Sequence, residues 1–203
     1  MLILGIILFI IATTFMALCL PSTNTYLLRQ YGVVVFGGLF VISVGVLFVT
    51  DKALIGEVVL FQFMPGIFYV LALDTLSMWF IVLTQFLFLL CMLSSWTSIQ
   101  FRYKEFLVIM LILDLFLVNL FSVQDLFAFY ICFESVLIPM FLIIGIWGSR
   151  QRRVHAAMQF FFYTLIGSFA MLIGIALLYN YTGTTSLMLL RACELSDSRQ
   201  LLL

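Results

Sequence analysis

Apolar runs long enough to cross a bilayer recur along the whole of this 203-residue sequence, and that recurrence limits its fold more than any other feature. The first, residues 1–20, reads MLILGIILFIIATTFMALCL and carries no charged residue. A helix needs ~20 mostly apolar residues to cross the hydrocarbon core. Hydrophobic residues make up 66% of the chain and charged ones 9%, where an ordinary soluble domain carries roughly 25% charged residues. Too little polar surface remains for a water-soluble monomer. The reading is an all-α, polytopic transmembrane helical bundle of about six spans, forming one domain over residues 1–203.

The first run lacks a positive flank and a cleavage signature, so it reads as a retained span. It closes at Pro21, Ser22, Thr23 and Asn24, a polar turn cluster. The second span is expected over residues 31–50, the third over 74–98, the fourth over 104–121, the fifth over 125–147 and the sixth over 155–179. Residues 58–73 are apolar but short, rich in β-formers and broken by Pro65-Gly66, a turn signal. They predict an extended, hairpin-like connection at the membrane face or against a partner, with a seventh span as the alternative. Beyond the sixth span, residues 183–203 mix apolar and charged side chains in an amphipathic tail suited to an interface.

The odd loops of this arrangement hold Arg29, then Arg102 and Lys104, then Arg150, Arg152 and Arg153, whereas the even loops hold only Lys52. Lys and Arg favour the side from which a membrane protein is inserted. Both termini are therefore expected on the outer side and the GSRQRRVH linker on the inner side. Nine basic residues balance nine acidic ones, which gives no reason to expect nucleic acid as a partner; membrane lipids are the expected surroundings. Cys19, Cys91, Cys132 and Cys193 lack ligand spacing and read as buried apolar thiols, with no metal site. Phosphate loops, dinucleotide-binding glycine patterns and nucleophile elbows are absent, so any redox chemistry belongs to other chains.

Four acidic residues bear on function. Asp74 and Asp125 stand where the third and fifth spans begin and read as N-caps. Asp114 is flanked by apolar residues on both sides. Glu134 lies in FYICFESVLIPMF, nine residues beyond Asp125, or ~14 Å at the helical rise, which is near mid-membrane. Ionisable residues at that depth cost several kcal/mol and mark ion or proton paths by default; the alternative is a protonated glutamate acting as an interhelical donor. Pro139 lacks an N–H and frees the carbonyl of Ser135, placing an acceptor and a hydroxyl near Glu134. In low dielectric the charged form of a carboxyl is disfavoured, and a cation brought close restores it, so a mobile lysine would load and release a proton. Apart from Lys104 at the very start of the fourth, no predicted span contains a lysine or arginine. His155 reads as an interfacial member of the basic linker. Gln159, Tyr163, Gly167, Ala170 and Gly174 share one face of the sixth span, read first as a close-packing face and second as a polar lining.

Residues 125–178, with the FES-x-x-x-PM pattern and the GSRQRR linker, resemble the family of antiporter-like membrane subunits (chain 4) of mitochondrial NADH:ubiquinone oxidoreductase, respiratory complex I. KEFLVIMLILD and TGTTSLMLL extend the resemblance, which is good over about residues 74–203 and reduces to hydropathy and order before that. The resemblance implies a multi-pass chain of the mitochondrial inner membrane in which Glu134 is the proton-handling carboxyl, paired with a lysine on a broken seventh helix. Asp114 falls where related chains often carry an acid, implying a supporting role. FMN, iron–sulfur clusters and ubiquinone are expected on other subunits and no cofactor on this chain. Family members have about fourteen helices, so the partners implied are other membrane-arm subunits and a companion chain carrying the missing helices, or else the sequence is an incomplete piece. A subunit of a multisubunit cation/proton antiporter and a non-pumping scaffold are the rival readings.

Overall fold

The computed structural model describes residues 2–21, 24–50, 58–64 and 67–192. Helix α1 spans Leu2–Cys19, α2 Thr25–Thr50, α3 Thr75–Ser98, α4 Tyr103–Ser122, α5 Leu126–Trp147, α6 Arg153–Thr182 and the short α7 Leu187–Ala192. Strands β1, Val58–Met64, and β2, Ile67–Leu71, form an antiparallel hairpin between α2 and α3. This bears out the extended connection predicted there; Pro65 and Gly66, which join the strands, lie outside the described residues. Five helices, α2 to α6, are long and apolar enough to cross a membrane, while α1 is apolar but slightly shorter.

Contacts at the helix ends show that the bundle runs up and down. At one end, Lys104 Nζ donates to the carbonyls of Leu18 and Leu20 at 2.7 Å each, joining the start of α4 to the end of α1. Arg29 Nη2 reaches the carbonyl of Ile99 just past α3 at 3.1 Å, and Trp147 Nε1 donates to the carbonyl of Phe101 at 2.9 Å. Arg29, Arg102, Lys104 and Arg153 thus gather at a single end, as the loop asymmetry predicts. Lys104 supplies donors to C-terminal carbonyls that an α-helix cannot satisfy itself and places a cation at the negative end of its dipole. Lys104→Met keeps most of the apolar stem but removes both bonds; it is expected to cost about 1 kcal/mol, seen as faster hydrogen exchange at the Leu20 amide.

At the other end the chain segments form a small extended layer. Ala72 N–H donates to the carbonyl of Ser122 (2.9 Å) and Gln124 N–H to that of Val70 (3.0 Å). On the far side of the same segment, Leu126 N–H donates to the carbonyl of Thr185 and Leu187 N–H to that of Gln124, both at 3.0 Å. The turn between α4 and α5 is therefore clamped between β2 and the segment that follows α6. Each backbone group bonded this way escapes the cost of lying unpaired near the membrane.

Helix α4 is the centre of the bundle. It packs against α1, α2, α3 and α5 and buries Leu107, Met110, Leu111, Asp114 and Val118 along its length. Helix α6 is the edge, packed on α5 through Ala157, Ser168 and Ile175.

The boundaries differ from expectation mainly at α2 and α6. Helix α2 begins at Thr25, six residues before the expected start, so Arg29 lies inside its second turn. The charge is tolerated because the guanidinium sits over the Tyr103 ring, 5.4 Å from its centroid, and bonds the Ile99 carbonyl. Helix α6 extends to Thr182, where Gly183 at φ 72° ends it in the left-handed conformation that glycine adopts without strain. Cys132 is buried as expected, but Cys19 and Cys91 face outward; their helices present apolar outer faces, where a thiol needs no core. Cys193 lies outside the described residues, as does most of the predicted tail.

A candidate proton-handling site in the membrane-spanning helices

Asp125 stands at the N-cap of α5, fully buried, and its side chain is used completely within the chain. Oδ1 accepts from the amides of Phe127 (2.9 Å) and Ala128 (3.2 Å), and Oδ2 accepts from Thr185 Oγ1 at 2.6 Å. The cap reading holds for Asp125. Asp74 occupies the same position before α3, but its exposed side chain makes no capping bond; water competes there for the carboxyl, which buried Asp125 does not face.

Glu134 lies eight residues into α5, and Asp114 lies eight residues before the end of α4. Both are therefore ~12 Å from the turn that joins these helices. They share a depth but not a neighbourhood. Asp114 is fully buried and faces α3, where its Oδ1 accepts from Gln85 Nε2 at 2.7 Å. Glu134 is half-buried, and Tyr130, one turn earlier on α5, interacts both with its carboxyl and with Ser168 of α6. No hydrogen bond joins the two acids among the described residues. Among the described residues, Glu134 Oε1 is buried and meets no hydrogen-bond partner, and neither do Asp114 Oδ2 and Gln85 Oε1.

Pro139 is buried inside α5 without ending it. The Ser135 hydroxyl donates back to the carbonyl of Ile131 at 2.7 Å, so it is spent within the helix and does not join the carbonyl that Pro139 frees. Tyr69 of β2 donates to Asn119 Oδ1 of α4 at 2.8 Å and contacts Cys132 of α5. Burial, followed by the Cys132 neighbour, pushes the Tyr69 hydroxyl up, which keeps it a neutral donor tying the hairpin to α4. His155 is exposed in the first turn of α6, at the basic end.

No cation faces Glu134 among the described residues. Their one ion pair is Arg102 with Glu105 at 3.5 Å, exposed at the basic end. The α6 face predicted to pack closely is open among the described residues: Gln159, Tyr163, Gly167 and Ala170 are exposed, and a Cβ at Gly167 or Gly174 would meet nothing described within 4 Å. Among the described helices α5 is the main neighbour of α6, meeting it through Ala157, Ser168 and Ile175, and Ala170 and Gly174 stand at the margin of that contact. Between α5 and α6 a groove of about 280 Å³ is lined by Leu126, Phe129, Ala170, Gly174 and Ile175. Sequence reasoning missed Gln85, Tyr130 and Ser168. Gln85 carried a usable signal, being an amide deep in the uncharged run of α3; Tyr130 stands four residues before Glu134, on the same helix face.

Comparison with known proteins agrees with this arrangement. Residues 122–203 match the family described as NADH:quinone oxidoreductase/Mrp antiporter, TM. NADH-ubiquinone oxidoreductase chain 4 of Chondrus crispus is 42% identical over 193 residues, which is 93% of this chain and 39% of that protein. This chain is a relative of NADH-ubiquinone oxidoreductase chain 4. The Arabidopsis thaliana chain 4 is 38% identical over 98% of this chain and 41% of its own length. A chain in the structure of Thermus thermophilus respiratory complex I with bound NADH superposes with a TM-score of 0.81 at 27% identity, over 97% of this chain and 40% of that one. The fold is thus that of the complex I antiporter-like subunits, and this chain spans about two fifths of the length of the chain 4 relatives. The similarity reaches into the first 73 residues, where resemblance by motif had reduced to hydropathy.

Proposed function

We propose that this chain forms the N-terminal part of a proton-translocating, antiporter-like subunit in the membrane arm of respiratory complex I, in the mitochondrial inner membrane. The observation that carries the proposal is the similarity to chain 4 over more than nine tenths of the chain. In this reading Glu134 accepts and passes a proton, and Asp114 supports the same polar level of the bundle. Tyr130 is the neighbour of the Glu134 carboxyl on its own helix, and Oε1 would be the acceptor for a donor beyond these helices. A lysine on the remaining helices of the subunit would supply the switching cation, whether those helices belong to the same polypeptide or to a companion chain. FMN, iron–sulfur clusters and ubiquinone would be bound by other subunits, which oxidise NADH and reduce the quinone.

The open face of α6 supports this division. If further helices cover it, Gly167→Leu leaves the packing of these helices intact, since nothing described lies against the new side chain. Its expected effect is a several-fold drop in the amount of chain found in the assembled particle, because close helix approach in membranes depends on small residues. Blue-native electrophoresis of the membranes reads it directly.

Mass spectrometry of the intact particle purified through this chain tests the reading as a whole. NADH-oxidising and quinone-reducing subunits, together with helices bearing intramembrane lysines, support it. A particle that exchanges cations and protons without any redox subunit would instead place the chain in a multisubunit cation/proton antiporter. An active particle without lysine-bearing helices beside α5 and α6 would reduce the chain to a scaffold.

A further inference from the structure

The contact between Asp114 and Gln85 holds an unused pair of atoms. One hydrogen bond joins Gln85 Nε2 to Asp114 Oδ1 at 2.7 Å, while Asp114 Oδ2 and Gln85 Oε1 are both buried and both unpartnered. Asp114 and Gln85 are each 0% exposed. Two acceptors cannot satisfy each other, but one proton between them would satisfy both. A carboxylic acid and a primary amide meet in this way as a cyclic pair with two parallel hydrogen bonds, and these two atoms are the ones that would close the ring.

The surroundings favour the protonated form. A buried carboxylate is tolerated when it is paired with a cation or saturated with donors, and among the described residues Asp114 has one side-chain donor, Gln85. Helices α1 and α3, both packed on α4, contain no charged residue. Helix α2 brings only Arg29, which is held at the Tyr103 end of α4, eleven residues or ~16 Å along the helix from Asp114. Helix α5 brings only Glu134, a second acid.

We propose that Asp114 and Gln85 form a proton-holding acid–amide pair between α4 and α3, in which the neutral carboxyl donates from Oδ2 to Gln85 Oε1. Asp114 is then a loaded proton site separate from Glu134, and Gln85 is the positioning residue that holds it. The pair needs no pumping partner, so its failure and the failure of the proposed function are separate results.

Infrared difference spectra of the assembled particle, unmodified minus Asp114→Asn, test the proposal. The expected result is a protonated-carboxyl C=O stretch that persists through neutral pH and is lost in the variant. Gln85→Leu removes the amide and is expected to shift that band toward the frequency of an unbonded acid. A carboxylate stretch in place of the acid band overturns the proposal, and so does a band that Gln85→Leu leaves unmoved. An asparagine copies the neutral acid, donating to Oε1 and accepting from Nε2, so Asp114→Asn is expected to assemble within about twofold of the unmodified level. Failure of that isosteric variant to assemble also counts against the pair.

Discussion

Asp125→Ala is expected to destabilise this chain more than any other single side-chain truncation described here, by about 2–5 kcal/mol. Loss of the N-cap accounts for about 1–2 kcal/mol of this, because the amides of Phe127 and Ala128 lose their shared acceptor. Burial of the Thr185 hydroxyl without its partner adds about 1–3 kcal/mol, since Thr185 is 1% exposed and, among the described residues, its hydroxyl bonds only to Asp125 Oδ2. Asp125→Asn separates the two contributions. Its amide oxygen can still cap α5 and its NH₂ can donate to Thr185 Oγ1, so a cost below about 1.5 kcal/mol is expected. Hydrogen exchange at Phe127 and Ala128, measured by mass spectrometry on the assembled particle, reports both values as local opening. Equal exchange in the alanine and asparagine variants would show that the carboxyl does not hold the start of α5.

The same residue shows what a sequence can reveal. The position of Asp125 between a polar turn and an apolar run marked it as a cap, because capping is a local arrangement of a side chain and the next two or three amides. Its bond to Thr185, sixty residues away, depends on the path of α6 and was not legible. The hairpin was legible for a similar local reason: Pro65-Gly66 between two short runs of β-formers. Arg29 was misplaced into a loop because charge normally marks a helix end in a membrane protein, and the Tyr103 ring that accommodates it comes from a different helix. The glycine-bearing face of α6 was read as a packing face, and its partner is not among the described helices.

The candidate site divides in the same way. Glu134 and Asp114 were visible because a carboxyl in a long apolar run is costly wherever the run goes. That Asp114 turns to Gln85 of α3, while Tyr130 beside Glu134 interacts with Ser168 of α6, is a property of helix rotation, which the weak amphipathicity of a membrane helix does not encode. The structure gives Asp114 a partner on α3 and no hydrogen bond to Glu134 among the described residues.

Glu134→Gln is the functional change with the largest expected effect. The substitution keeps the size and shape of a half-buried side chain whose Oε1 has no partner to lose, so the change in stability is expected to stay under about 1 kcal/mol. What it removes is the ability to take up and release a proton. Loss of a positioned proton-transfer group lowers such a step by about 10²-fold or more, while Glu134→Asp, which keeps the carboxyl but withdraws it by one methylene, retains part of the flux. The deciding measurement is NADH-driven proton uptake by sealed vesicles carrying the assembled particle, with Glu134→Gln compared against the unmodified chain at matched assembly. The account predicts that the protons moved per electron fall in the variant. A ratio unchanged from that of the unmodified particle would contradict it and leave the chain as a scaffold.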